Sequence, residues 1–197
     1  MYHVAITGAS GPVMGLRLIE ELLHHGKDVG AVVSPDARIT MGHELFGGNP
    51  VPDTIDEMFK ALGKEVKTGQ LHEYQPHDFF TPLASGTAPF KAMIIVPCSM
   101  KTLAAVAHGY SDSLVTRGAD VALKEGRPLI LVPRETPLSL VHIENLGAVK
   151  RAGADIVMPV PGFYTFPKSV DDVIDFIVGK ILNLLDIEHD LFPRWGE

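Results

Sequence analysis

Cysteine is nearly absent from this chain: Cys98 is the only one, so neither an internal disulfide nor a multi-cysteine metal site can form. No uninterrupted apolar run reaches the roughly 18 residues of a membrane helix, and no basic stretch leads into a long apolar segment at the start. A soluble, unprocessed, cytoplasmic protein is therefore expected, with no membrane partner. Positive charge is scarce as well. The 17 Lys and Arg stand against 24 Asp and Glu, a net charge of −7, which argues against nucleic acid as a partner, because such binding rests on clustered cations. The nine histidines lack H-E-x-x-H or similar spacing, and no metal is expected. Any anion held here must be met by local groups.

What the chain does have is alternation. Short β-branched runs at His3 to Thr7, Val29 to Val33, Ala92 to Val96, Leu129 to Val132 and Asp155 to Met158 are separated by stretches of helical period. Val13, Leu16, Ile19 and Leu23 mark one apolar helix face, and Val170, Val173, Ile174, Ile177, Ile181, Leu184 and Leu185 another, with Ser169 as its cap. This pattern predicts an α/β fold: a doubly wound parallel sheet, Rossmann-like or flavodoxin-like, in a single three-layer domain over residues 1–197. The stretch 47–76, broken by Pro50, Pro52 and Pro76, is read as an insertion on the rim, with a helical pattern from Asp53 to Leu62 and an extended piece at Leu71 to Tyr74. The aromatic tail within 186–197 is expected to dock on something, such as a neighbouring subunit.

In such a sheet, ligands bind beyond the carboxyl ends of the strands. Those ends agree chemically here. They carry Thr7-Gly8-Ala9-Ser10-Gly11, Ser34-Pro35, Pro97-Cys98-Ser99-Met100-Lys101-Thr102, Pro133-Arg134-Glu135-Thr136-Pro137 and Pro159-Val160-Pro161-Gly162-Phe163-Tyr164. Small residues, hydroxyls and a lysine at helix starts suit an anion, although an ordinary capped loop would look similar. Arg134 suits bidentate phosphate binding and Glu135 proton transfer, with a plain surface ion pair as the blander reading. Arg117 and Lys124 read equally as helix cations. Cys98 has no evident His partner and reads as a packing residue. A dinucleotide site is disfavoured, because the second strand ends in Ser34 rather than an acid. The pair Tyr164 and Lys168 is also interrupted by Pro167.

Several blocks resemble one family, the flavin prenyltransferases of the UbiX type, over essentially the whole length. They are ITGASG at Ile6 to Gly11, Ser34 with Glu44 ten residues on, PCSMKTLAAVAHGY at Pro97 to Tyr110 and RGADVALKEGRPLILVPRETPL at Arg117 to Leu138. HIEN at His142 to Asn145, PVPGFY at Pro159 to Tyr164 and the terminal PRWGE complete the match. The resemblance implies transfer of a dimethylallyl group from dimethylallyl phosphate to nitrogen 5 and carbon 6 of reduced FMN, without metal. The product, prenylated FMN, serves a UbiD-type decarboxylase. It further implies a homo-oligomer, commonly a dodecamer, with the site between subunits.

By position, the resemblance implies FMN contacts at Gly8, Ala9, Ser10, Ser34, Ser99, Met100, Lys101, Thr102 and Arg134. Prenyl-phosphate contacts fall at Arg117, Lys124, Arg134, Tyr164 and Lys180, and catalytic roles at Ser10, Glu44 and Glu135. Phe79, Phe80, Tyr164 and Trp195 are candidate walls against water. Lys180 stands where the family commonly has Arg, which keeps the charge and loses the bidentate fork. The runner-up readings are an FMN-dependent decarboxylase of the cysteine-decarboxylase superfamily and a non-catalytic flavin carrier. The decarboxylases carry Pro-Ala-Ser-Ala-Asn-Thr where this chain has Pro97 to Thr102.

Overall fold

The computed structural model describes residues 1–193 and Gly196. Among these, six strands form one all-parallel sheet. In chain order the elements are β1 (Tyr2–Ile6), α1 (Pro12–His24), β2 (Val29–Val33), α2 (Pro35–Glu44), α3 (Ile55–Ala61), β3 (Leu71–Tyr74), β4 (Ala92–Cys98), α4 (Met100–Ala107), α5 (Leu114–Lys124), β5 (Leu129–Pro133), α6 (Leu140–Arg151), β6 (Asp155–Ile156) and α7 (Val170–Leu184). The spatial order β3-β2-β1-β4-β5-β6 reverses direction between β1 and β4, and there the crossovers diverge and leave a crevice.

The pleat sends alternate residues to opposite faces, and both faces are covered, so the central strands are apolar apart from the buried His3 of β1. Val4, Ile6, Ile94 and Val96 face the layer of α1, α2, α3 and α7. Ala5, Met93, Ile95 and Leu131 face that of α4, α5 and α6. Each fully buried Ile or Leu contributes roughly 1.5–3 kcal/mol relative to exposure. At the crevice the packing is closest. A Cβ on Gly15 would lie 2.5 Å from the Val96 carbonyl oxygen and 2.7 Å from Ile6, and Gly11 turns the chain at φ 91°. The spacing Gly11-x-x-x-Gly15 thus serves a left-handed turn and a tight helix–sheet contact.

β1, β5 and α3 differ from the sequence expectation by only one or two residues at their ends, and other parts differ more. β4 runs on through Pro97 to Cys98, with a register shift against β5 beyond Ile95. β6 pairs over two residues only. The stretch 47–76 lies at the rim, yet it is part of the sheet: α3, held by a Thr54–Glu57 capping box, leads into β3, which pairs in parallel with β2. The tail turns back on its own chain as far as Phe192, whose ring lies 5.0 Å from those of Phe176 and His189. Gly179 makes room for it, since a Cβ there would sit 2.5 Å from Phe192. Arg194, Trp195 and Glu197 lie outside the described residues.

Candidate functional site

The crevice between β1 and β4 opens into a cavity of about 410 Å³, lined by Thr7, Gly8, Ser34, Ser99, Lys101 and Thr102 together with residues at the start of α5. Three helices present serine-capped N-termini to it. Ser34 Oγ accepts from the Ala37 N–H at 3.1 Å, Ser99 Oγ from Thr102 at 3.2 Å, and Ser113 Oγ from Thr116 at 3.3 Å. Each cap satisfies one N–H of its first turn and leaves others facing outward, so the helix dipoles sum to an anion-favouring field. A cavity of this size also lies within the usual range for a cofactor-sized ligand.

Thr7 joins the two sides of the crevice. Its hydroxyl donates to the Pro97 carbonyl and accepts from the Ser99 N–H, both at 2.8 Å, which fixes the β1 loop against the start of α4. The Gly11 N–H donates to Glu44 Oε2 at 2.9 Å, so the end of α2 also holds the glycine turn. Ser10 is half-buried beside that turn, Ala9 is buried within it, and Met100 opens α4 and packs against the lower core layer.

Arg134 follows β5 directly and its backbone N–H donates to the Cys98 carbonyl at 3.2 Å. Its Nε is buried and has no hydrogen-bond partner among the described residues, which suits a group that awaits an anion. Glu135 beside it folds back to accept from the Thr136 N–H at 3.0 Å. Burial pushes the Cys98 thiol up to about 12, so the thiolate is suppressed and the residue serves packing.

Of the expected residues, Gly8, Ser34, Ser99, Lys101 and Thr102 line the cavity itself. Tyr164 lies on a short 3₁₀ turn, Phe163–Thr165, with its ring edge-on to Phe176 at 5.8 Å. Lys180 is exposed on α7, four residues after Phe176 and so on the same face. Phe79 and Phe80 are exposed, the latter wholly.

None of the expected cations Arg117, Lys124, Arg134 and Lys180 is among the described residues that line the cavity, and the first two are tied elsewhere within the chain. Arg117 donates to the Ala84 carbonyl at 3.0 Å and to Asp120 at 2.7 Å. Lys124 closes α5 and pairs with Glu125, roughly 12 Å along the helix axis from Thr116 at the cavity. The sequence reading missed Thr7 as the joining residue, and missed Asp36, His77, Tyr110, Asp112, Ser113 and Thr116 as cavity lining. A signal existed for the last two: the Ser113-x-x-Thr116 cap marks a third helix start.

Comparison with known proteins agrees with this geometry. The Flavoprotein family model matches residues 2–182. Flavin prenyltransferase UbiX of Halalkalibacterium halodurans is 46% identical over 100% of this chain and 94% of its own. A crystal structure of AnUbiX in complex with FMN and dimethylallyl pyrophosphate superposes with a TM-score of 0.86 at 39% identity, covering 100% of this chain and 97% of the other. A dodecameric FMN-dependent UbiX-like decarboxylase from Escherichia coli O157:H7 gives 0.85 at 37% identity, covering 100% and 99%. A match of this extent places the protein in the UbiX-type flavin prenyltransferase family.

Proposed function

We propose that this chain transfers the dimethylallyl group of dimethylallyl phosphate to reduced FMN, giving prenylated FMN. The observation that carries the reading is the crevice, where three serine-capped helix starts converge on one cavity; Arg134, bonded through its backbone N–H to Cys98 next to the lining residue Ser99, has a buried Nε with no partner among the described residues. The residues fit a flavin nucleotide: hydroxyls and N–H groups for its phosphate, and apolar surface from Ala105, Tyr110 and Val115 for its ring. Reduced FMN supplies the nucleophilic nitrogen and carbon that take up the five-carbon unit.

The protein's part is positioning and electrostatics. Arg134, Tyr164 and Lys180 hold the phosphate of the donor as it departs. Glu135 and Ser10 move protons near the flavin, and Glu44, anchored to the Gly11 N–H, keeps a carboxylate charge at the glycine turn. Arg117 and Lys124 reach a site only from a neighbouring copy, because within one chain they are tied elsewhere. A homo-oligomer, such as the dodecamer of the Escherichia coli relative, is thus part of the reading. So are a cytoplasmic setting and a UbiD-type decarboxylase as recipient. Lys180 grips phosphate as a point charge, so it places less demand on the shape of a mono- or diphosphate than a guanidinium would.

The test is anaerobic incubation with reduced FMN and dimethylallyl phosphate, followed by mass analysis of the flavin. The expected product is heavier by one five-carbon unit. Unmodified flavin under saturating donor refutes the reading.

A further inference from the structure

Among the described residues that line the crevice cavity, Lys101 is the only lysine or arginine, and it is already taken. Its ammonium pairs with the Asp36 carboxylate across the gap between the first turns of α4 and α2. With Asp112 also in the lining and His77 neutral, the formal charge of the lining is 1 − 2 = −1. That is an unexpected sign for a cavity whose helix starts favour anions.

Asp36 is not needed there to hold the fold. Its side chain is 52% exposed and that of Lys101 is 77% exposed, and pairs this open to water add little stability. Yet the backbone accommodates Asp36 closely, since a Cβ on Gly8 would lie 2.4 Å from the Asp36 Cβ. The β1 loop is bare at the point where the Cβ and backbone of Asp36 lie against it, and the carboxylate beyond them meets Lys101.

We propose that Asp36 is a counter-charge that limits flavin affinity: it competes with the flavin phosphate for Lys101 and so lets the nucleotide leave. This rests on the reading that the cavity receives the phosphate of FMN. The reason lies in the chemistry of the product. Prenylation alters only the ring system, so substrate and product carry the same phosphate and the protein grips both alike at that end. A product that another enzyme uses as its cofactor has to be released intact. A carboxylate that weakens the common handle speeds that release without touching the reacting ring.

Titrations of the full-length protein with FMN and with riboflavin, which lacks the phosphate, separate this from a structural role. Asp36→Asn is expected to tighten FMN about fivefold and to slow its dissociation by a similar factor, the scale of an exposed charge interaction. Riboflavin binding is expected to stay the same, and the FMN gain to shrink at about 0.5 M salt as screening takes over. Asp36→Ser serves as the second variant and is expected to move in the same direction. Unchanged or weaker FMN binding in both variants overturns the proposal, as does an equal gain for riboflavin. If FMN binds and responds this way but no prenylation occurs, the proposed activity falls and the counter-charge stands. If FMN gains nothing over riboflavin even in the unaltered protein, the phosphate cavity falls and the counter-charge with it.

Discussion

Two arginines flank β5, and they are treated in opposite ways. Arg127, just before the strand, donates to the carbonyls of Ala88 and Gly86 at 2.7 Å each, and its guanidinium lies 4.4 Å from the centre of the Phe90 ring. Arg134, just after it, is fixed through its backbone N–H on Cys98, while its buried Nε has no partner among the described residues. One guanidinium closes a loop on the amino-end rim of the sheet. The other is held in place with bonding capacity left over on the carboxyl-end rim. The contrast separates a guanidinium spent on its own chain from one with an Nε left over more clearly than exposure does, because both residues are partly buried.

The largest expected effect comes from breaking that contrast. Arg134→Met should lower FMN affinity a hundredfold or more, the scale of removing a desolvated charge partner, while leaving thermal stability nearly unchanged. Arg127→Met should do the reverse, costing about 2–3 kcal/mol in denaturant unfolding through two charged hydrogen bonds and a cation–π contact, with FMN affinity kept. If both variants lose stability and binding together, the division between the rims is wrong.

Next in size, Glu135→Gln should slow product formation in single-turnover assays by about tenfold to a hundredfold while FMN still binds, as befits a residue that moves protons. Equal rates would remove Glu135 from the reaction and leave Arg134 as the sole functional charge after β5.

The smallest effect belongs to the amino-end rim. His3 is buried against Phe90, with ring centroids 5.1 Å apart. Desolvation above all, helped by the charges of the N-terminus, Arg127 and His72, lowers its pKa to about 4. The unfolded chain takes up this proton near pH 6.5 and the folded chain only near 4. The stabilising contribution is therefore complete above pH 6.5 and is lost as the pH falls through that window, at up to about 1.4 kcal/mol per pH unit. His3→Gln should flatten the stability profile between pH 6.5 and 5 in urea titrations. An unaltered slope would mean that His3 takes its proton while folded.

These expectations rest on features that were unequally visible beforehand. The buried strands β1, β2, β4 and β5 announce themselves as apolar β-branched runs, and the Ser169 cap of α7 fixes a helix start by its own chemistry. β3 shows less: Leu71 to Tyr74 reads as an extended piece, but with its backbone satisfied on one side only and its side chains half in water the pattern does not tell that it belongs to the sheet, and only pairing with β2 places it there. In the site, Ser34 and Ser99 were readable as caps next to strands. Thr7 and Asp36 were not, because their roles depend on partners 65 to 92 residues away in sequence. Arg117 and Lys124 illustrate the remaining limit: the motif that contains them does not tell that within one chain both are tied to neighbouring groups.

Glu44 carries a different lesson. One of its oxygens holds the Gly11 N–H, and with it the turn that carries Ser10. Shortening the side chain to Asp would keep the charge and lose the reach, whereas Gln would keep the reach and lose the charge. The Gly11 turn asks this side chain for length and the proposed role asks it for charge, and neither single replacement supplies both.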